Sequence, residues 1–238
     1  MSKMCRRCRV LLFGGLLILA AQPCQADLAV SVSLDTSKLA SDYTGPFALD
    51  FELVGSDGNT ITISNFAFGG GSPGPGSAFL TGGASGDYSS TVTLADSANF
   101  FSDFNQQFTP GSVLTFTVDT TLVAPPSGGI PDNFSMVLFS AYDPVGGYNP
   151  FTGTGGTPIP TTDPSGNNTF LNVDINGPGS TTVSAFPSAS GDIPITITTA
   201  GAVPEPSSGV MLLASVMCAA TALARRRSRG QAGGGKAP

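Results

Sequence analysis

Phe47-Ala48-Leu49-Asp50-Phe51-Glu52-Leu53 sets a large apolar side chain at every second residue, with two carboxylates in between. Successive side chains of an extended chain point to opposite faces, so this stretch reads as a strand with one apolar face and Asp50 and Glu52 on the other. Upstream, Leu28, Val30, Val32 and Leu34 alternate with Ala29, Ser31 and Ser33. Downstream the period of two recurs at Ile61 and Ile63, Val92 and Leu94, and Leu114-Phe116-Val118. It continues through Leu171-Val173-Ile175, Val183 with Ala185, and Ile193-Ile195-Ile197. After Ile63 the apolar phase shifts to Phe66 and Phe68, as a β-bulge produces. Met136-Val137-Leu138-Phe139 is apolar on both faces, the mark of a central strand. The connections are rich in Gly, Pro, Ser, Asn and Asp, as in Gly69 to Gly76 and Gly146 to Gly166. Only Asp96 to Phe108 suggests a helix, because Phe100, Phe104 and Phe108 recur at every fourth residue behind Asp96 or Ser97 as a cap. The expected fold is all-β, an antiparallel β-sandwich or jelly roll of about nine strands.

Charge divides the chain into three parts. From Asp27 to Val203 there are fifteen acidic residues and a single basic one, Lys38, for a net charge of −14. Such a segment repels phosphate backbones and anionic lipid, which excludes nucleic acid as a partner. The other nine basic residues crowd the two ends. The chain has no His and no Trp, and Cys5, Cys8, Cys24 and Cys218 all lie in the terminal segments. A disulfide framework in the middle is therefore excluded. So are a Ser-His-Asp triad, a Cys-His pair and the usual zinc sets.

The first segment, 1–26, has the layout of a secretory signal peptide. Met1 to Arg9 is basic, Val10 to Ala21 apolar but too short to span a bilayer, and Gln22 to Ala26 polar, with cleavage expected after Ala26. At the other end, Val203-Pro204-Glu205-Pro206-Ser207 precedes an uncharged apolar run, Ser208 to Ala224, and then Arg225-Arg226-Arg227. As a helix the run of roughly 17 residues covers about 26 Å, the low end for a transmembrane helix. The arginines are expected to stay cytoplasmic, which puts everything before Pro204 outside the inner membrane. Proline on both sides of Glu205 keeps that motif extended.

This three-part tail resembles the PEP-CTERM sorting signal of Gram-negative bacteria. The resemblance covers Val203 to about Arg229 and implies recognition by exosortase, a membrane-embedded cysteine transpeptidase. Pro204, Glu205 and Pro206 would be the sorting motif and Arg225, Arg226 and Arg227 the cytoplasmic basic tail. The middle more loosely resembles an uncharacterised group of PEP-CTERM-tailed surface proteins. The similarity rests on Val32-Ser33-Leu34-Asp35-Thr36, Ile63-Ser64-Asn65-Phe66, Phe104 to Ser112, Thr161 to Gly166 and Phe186 to Ala189. It implies a shared fold and export route, and no activity. The expected organisation is a signal peptide (1–26), an acidic exported domain (27–201), the sorting signal (203–229) and a disordered tail (230–238).

No nucleophile elbow, phosphate loop or dinucleotide fingerprint occurs, and neither an enzyme nor a cofactor is expected. Asp50 and Glu52 share a strand face, which could serve two-carboxylate glycoside hydrolysis; a solvated strand face is the preferred reading, and no catalytic residue is assigned. Oxygen ligands suited to calcium lie at Asp57-Gly58-Asn59, Asp132-Asn133, Asp163 with Asn167, and Asp174 to Gly177. Asp and Asn are also the ordinary residues of tight turns, so no metal site is assigned. Tyr43, Tyr88, Tyr142 and Tyr148 could supply a sugar platform in the absence of Trp. Three function classes follow: a structural or adhesive component of the envelope or matrix, a carbohydrate-binding module, and a carboxylate-dependent hydrolase. The partners expected are exosortase, the inner membrane before processing, and exopolysaccharide.

Overall fold

A computed structural model describes residues 27–142 and 155–200. The signal peptide with Ala26, the sorting motif and the basic tail lie outside the described residues, as does Tyr148. Among the described residues, no helix is long and apolar enough to cross a membrane.

The domain is all-β. Its strands in chain order are β1 (Asp27–Asp35), β2 (Phe47–Val54), β3 (Thr60–Ala67), β4 (Ser72–Pro73), β5 (Phe79–Thr81), β6 (Ser85–Gly86) and β7 (Val92–Ala95). They continue as β8 (Phe101–Thr109), β9 (Val113–Thr121), β10 (Asp132–Ser140), β11 (Thr157–Pro158), β12 (Thr169–Ile175), β13 (Thr182–Ala185) and β14 (Ile195–Ala200). One short helix, α1 (Leu39–Asp42), follows β1. One sheet runs β14-β1-β9-β3-β7-β6 and the other β13-β12-β10-β2-β8-β4, with β11 added to β10 and β5 to β8. Every pairing is antiparallel.

The period of two explains which faces meet. In β9 buried residues alternate without a break, sending Leu114, Phe116, Val118 and Thr120 inward. Val30, Val32 and Leu34 do the same from β1, and Leu49, Phe51 and Leu53 from β2. Thr120 apart, these residues of both sheets belong to one continuous core. Phe51 is its hub. Its ring stacks on Phe134 of β10 at 6.1 Å within its own sheet and meets Phe116 of the opposite sheet edge-on at 5.6 Å. Aromatic pairs at such spacings add about 0.5–1.5 kcal/mol each beyond area burial. In β10 the run Met136 to Phe139 is buried on both faces, as its sequence suggests. Met136 and Leu138 join the main core, while Val137 and Phe139 cluster with Ala48 and Tyr142. The expected bulge after Ile63 is present: the β3–β9 register shifts between Ser64 and Ala67, where Asn65 has φ 57°.

One expected element is different. Residues 101–109 form strand β8, paired with β2 from Phe47↔Phe108 to Val54↔Phe101, and no helix spans 96–108. A spacing of four is even, so it keeps Phe104 and Phe108 on one strand face as well as on one helix face. Two polar residues at the alternate positions, Ser102 before Phe104 and Gln106 between the two rings, hid the alternation because they also point inward and are satisfied there. Ser102 Oγ donates to the Ala95 carbonyl (2.7 Å) and accepts from Gly83 N–H (2.8 Å); Gln106 Oε1 accepts from Tyr88 N–H (3.1 Å). Phe100, counted on the helix face, is 69% exposed. Among the described residues the strands number fourteen, against the nine or so read from periodicity. The difference is β8 and four strands of two or three residues, β4, β5, β6 and β11.

Phe51→Ala should therefore cost about 3–5 kcal/mol in urea unfolding of the purified protein, through loss of ring contacts to both sheets and the cavity left behind. Phe100→Ala should change stability by less than about 0.5 kcal/mol; a helix over 96–108 would instead make Phe100 and Phe104 comparably costly.

Candidate functional site: a carboxylate-lined groove on one sheet face

The outer face of the larger sheet carries the polar halves of its alternating strands. β2 contributes Asp50 and Glu52, β8 Asp103 and Asn105, β10 Asn133 and Ser135, and β12 Asn172. Register brings them side by side: Asp50 pairs with Asn105 and Val137, Glu52 with Asp103 and Ser135, and Ser135 with Asn172. A groove of about 330 Å³ runs over β2, β10 and β12, with Asp50, Glu52, Asn133, Ser135, Asn167 and Asn172 among its lining residues. Asn133 Nδ2 donates to Asp174 Oδ1 (2.7 Å) and to Asn172 Oδ1 (3.2 Å), which sets the direction of its amide.

Asp50 and Glu52 do share one face, but not a uniformly solvated one. Asp50 is buried and Glu52 half-buried. Asp103 is buried beside them, with its carboxyl in hydrogen-bonding contact with that of Asp50. Neither oxygen of Asp103, nor the side-chain amide of Asn105, meets an N–H or hydroxyl partner. Burial pushes the Asp103 pKa up to about 6, and the Asp50 contact opposes that rise only in part. Below about pH 6 a proton on Asp103 removes one of two adjacent negative charges. Periodicity alone missed Asp103 and Asn105 because their segment reads as helix. Set as a strand in register with 47–54, the same residues fall on the Asp50–Glu52 face.

The other candidate positions fare differently. Tyr88 is buried in the core, where its hydroxyl lies 3.0 Å from the Leu49 carbonyl and 3.1 Å from that of Gln106. Burial foremost, and then the charge of Asp50, raises its pKa well above the ordinary tyrosine value. Tyr142 is also buried, and Tyr43 is half-buried with its hydroxyl 3.1 Å from Ser190 Oγ. These three tyrosines do not form an exposed shelf. Asp163 closes its own turn, accepting from Ser165 N–H (2.9 Å), Ser165 Oγ (2.7 Å) and Thr169 N–H (3.4 Å). Burial opposes the ionised form of Asp163, but these bonds outweigh it and hold the pKa below the ordinary value. Asp57 and Asp132 come together, whereas Asp163 and Asp174 belong to separate turns and pairs.

Comparison of the chain with protein-family models, with curated proteins and with solved structures finds no match.

A carboxyl whose pKa is higher in the folded chain than in the unfolded one makes folding less favourable as pH rises between those two values. For Asp103 that window runs from the ordinary 3.8 to about 6. Asp103→Asn, neutral at all pH, should lessen the loss of stability across this window and raise the melting temperature at pH 7. Melts of both proteins in a pH series check it; an unchanged pH profile would mean that Asp103 titrates normally.

Proposed function

We propose that the chain is an exported cell-envelope or extracellular-matrix protein with a structural or adhesive role and no catalytic one, sorted by exosortase through its PEP-CTERM tail. The observation that supports this reading most is the segregation of charge: an acidic segment with one basic residue in 27–203, between two basic ends that each carry an apolar run. In this reading the N-terminal segment directs export and is cut after Ala26. The C-terminal helix holds the protein in the inner membrane until exosortase acts at Pro204-Glu205-Pro206, and the arginines set the topology. The exported part is then a β-sandwich at the cell surface or outside the cell, with no part in nucleic-acid binding.

A carbohydrate-binding role is the second reading, favoured by the groove. Its carboxylates, amides and hydroxyls are the donors and acceptors a polyhydroxylated chain uses, and exopolysaccharide is the partner it suggests. It would bind without the tyrosine platform, since Tyr88 and Tyr142 are buried. A hydrolase is a third reading and fits less well. The carboxyls of Asp50 and Asp103 touch, whereas two-carboxylate glycosidases need about 5 Å or more between theirs.

Mass spectrometry of the surface-exposed protein should find an N-terminus at Asp27 and no residues of the C-terminal helix. With Pro204, Glu205 and Pro206 all replaced by alanine, the chain should stay in the membrane fraction intact through Pro238. An intact Pro238 on the mature wild-type protein would make the tail a permanent anchor. For the second reading, Asn133→Ala with Asn172→Ala should weaken retention on the producing strain's exopolysaccharide about tenfold or more. Equal retention would leave the structural role.

A further inference from the structure

We propose that Asp96, Asp132 and Asp57 form a binding site for a hard divalent cation of the calcium type, at the edge of the domain where the β2–β3 turn meets the end of β7 and the start of β10. The three come from distant parts of the chain, and folding brings them together. Asp132, the first residue of β10, is 1% exposed. Its Oδ1 accepts from Ser56 N–H (3.0 Å), and its Oδ2 from Asn59 Nδ2 (2.7 Å) and Asp57 N–H (3.3 Å). Asn59 cannot turn away, because its Oδ1 is held by Val123 N–H (2.8 Å) and Thr121 Oγ (3.1 Å). A Cβ at residue 55 would collide with Asp132 Oδ1, so Gly55 is what admits the carboxylate to the turn. Burial opposes the charge on Asp132, but the contact with the Asp96 carboxyl first, and then the donors of Asn59, Ser56 and Asp57, hold its pKa below the ordinary value.

Asp96 gives the observation that asks for a ligand. It lies one residue beyond β7, is 3% exposed, and points its carboxyl at that of Asp132. The N–H groups of Asp57 and Gly58 lie near, but neither oxygen of Asp96 makes a hydrogen bond of acceptable geometry. Asp57 Oδ2 is also buried without a partner. Three carboxylate oxygens are thus turned inward, unfilled, beside a carboxylate that its donors keep ionised. Burial, then the neighbouring Asp132 carboxylate, raises the Asp96 pKa to about 7; burial and then the Asp132 charge raise that of Asp57 as well.

Nothing in the domain can neutralise this charge. Lys38 is the only basic residue between Asp27 and Val203, and it acts on Asp35. Compensation must come from outside, as a proton or as a metal ion. The described residues contain no His and no Cys, so the donor set is oxygen only. That chemistry suits calcium rather than zinc or copper. Among the described residues no three carboxylates yet stand in ligand geometry. Completing a shell therefore asks the Asp57 carboxyl to readjust, which its place on a half-exposed turn next to Gly58 (φ 88°) allows. Calcium tolerates irregular shells of six to eight oxygens, and water supplies those the protein does not.

The test is a set of thermal melts and calcium titrations of the full-length chain in detergent at pH 7. In calcium chloride at about 5 mM, above the range of weak extracellular calcium modules, the melting temperature should exceed that in chelator by about 3–6 °C. Asp96→Asn and Asp57→Asn each keep the shape of the side chain, relieve the crowding of like charge, and should weaken calcium binding about tenfold or more. Asp163→Asn, in a turn that closes on itself, should keep the full shift. Identical melts in calcium and chelator would overturn the proposal and leave the shared proton as the compensating charge. An undiminished shift in either Asp96→Asn or Asp57→Asn would overturn it too.

Discussion

The ring of Phe51 is the contact on which both sheets depend. It is fully buried at the middle of the larger sheet, between neighbours Phe104 and Phe134, and reaches across the core to Phe116 and Phe66 of the smaller one. Tyr88 closes the cluster edge-on and anchors its hydroxyl on the backbone of β2 and β8. A chain with no disulfide available to the domain must be held by burial alone, and about 175 residues can bury enough surface to do so. The aromatic cluster holds the two layers in register, and the register in turn places the polar faces outside.

The second governing constraint is electrostatic. A domain with fifteen acidic residues and one lysine cannot bury a carboxylate against a protein cation, so each buried Asp must find N–H donors, a proton or an external ion. Asp132 takes the first course, with three donors. Asp103, beside Asp50 on the same sheet face, takes the second below about pH 6. Asp96 and Asp57 also carry oxygens that no N–H or hydroxyl fills, and for these an external cation is the course proposed above.

The strands with one apolar face were legible because their physics is local. β1, β2, β9 and the doubly buried β10 follow from side chains two residues apart, and so does the bulge in β3. β8 was not legible: its inward positions include Ser102 and Gln106, whose partners, Ala95, Gly83 and Tyr88, lie elsewhere in the chain. The misread segment took Asp103 and Asn105 with it, so the part of the polar sheet face that β8 supplies was hidden. Asp50 and Glu52 were visible as a pair on one face, but the full burial of Asp50 and the partial burial of Glu52 depend on what the sheet builds around them.

Composition and alternation were enough to establish an acidic, all-β domain without cysteine or histidine, set between two basic, apolar ends, because these are properties of single residues and near neighbours. The meeting of Asp57 and Asp96 with Asp132, and of Asp103 with Asp50, could come only from the fold. Antiparallel pairing joins residues tens of positions apart, and a shift of one residue in register would have sent Asp50 and Asp103 to the opposite face.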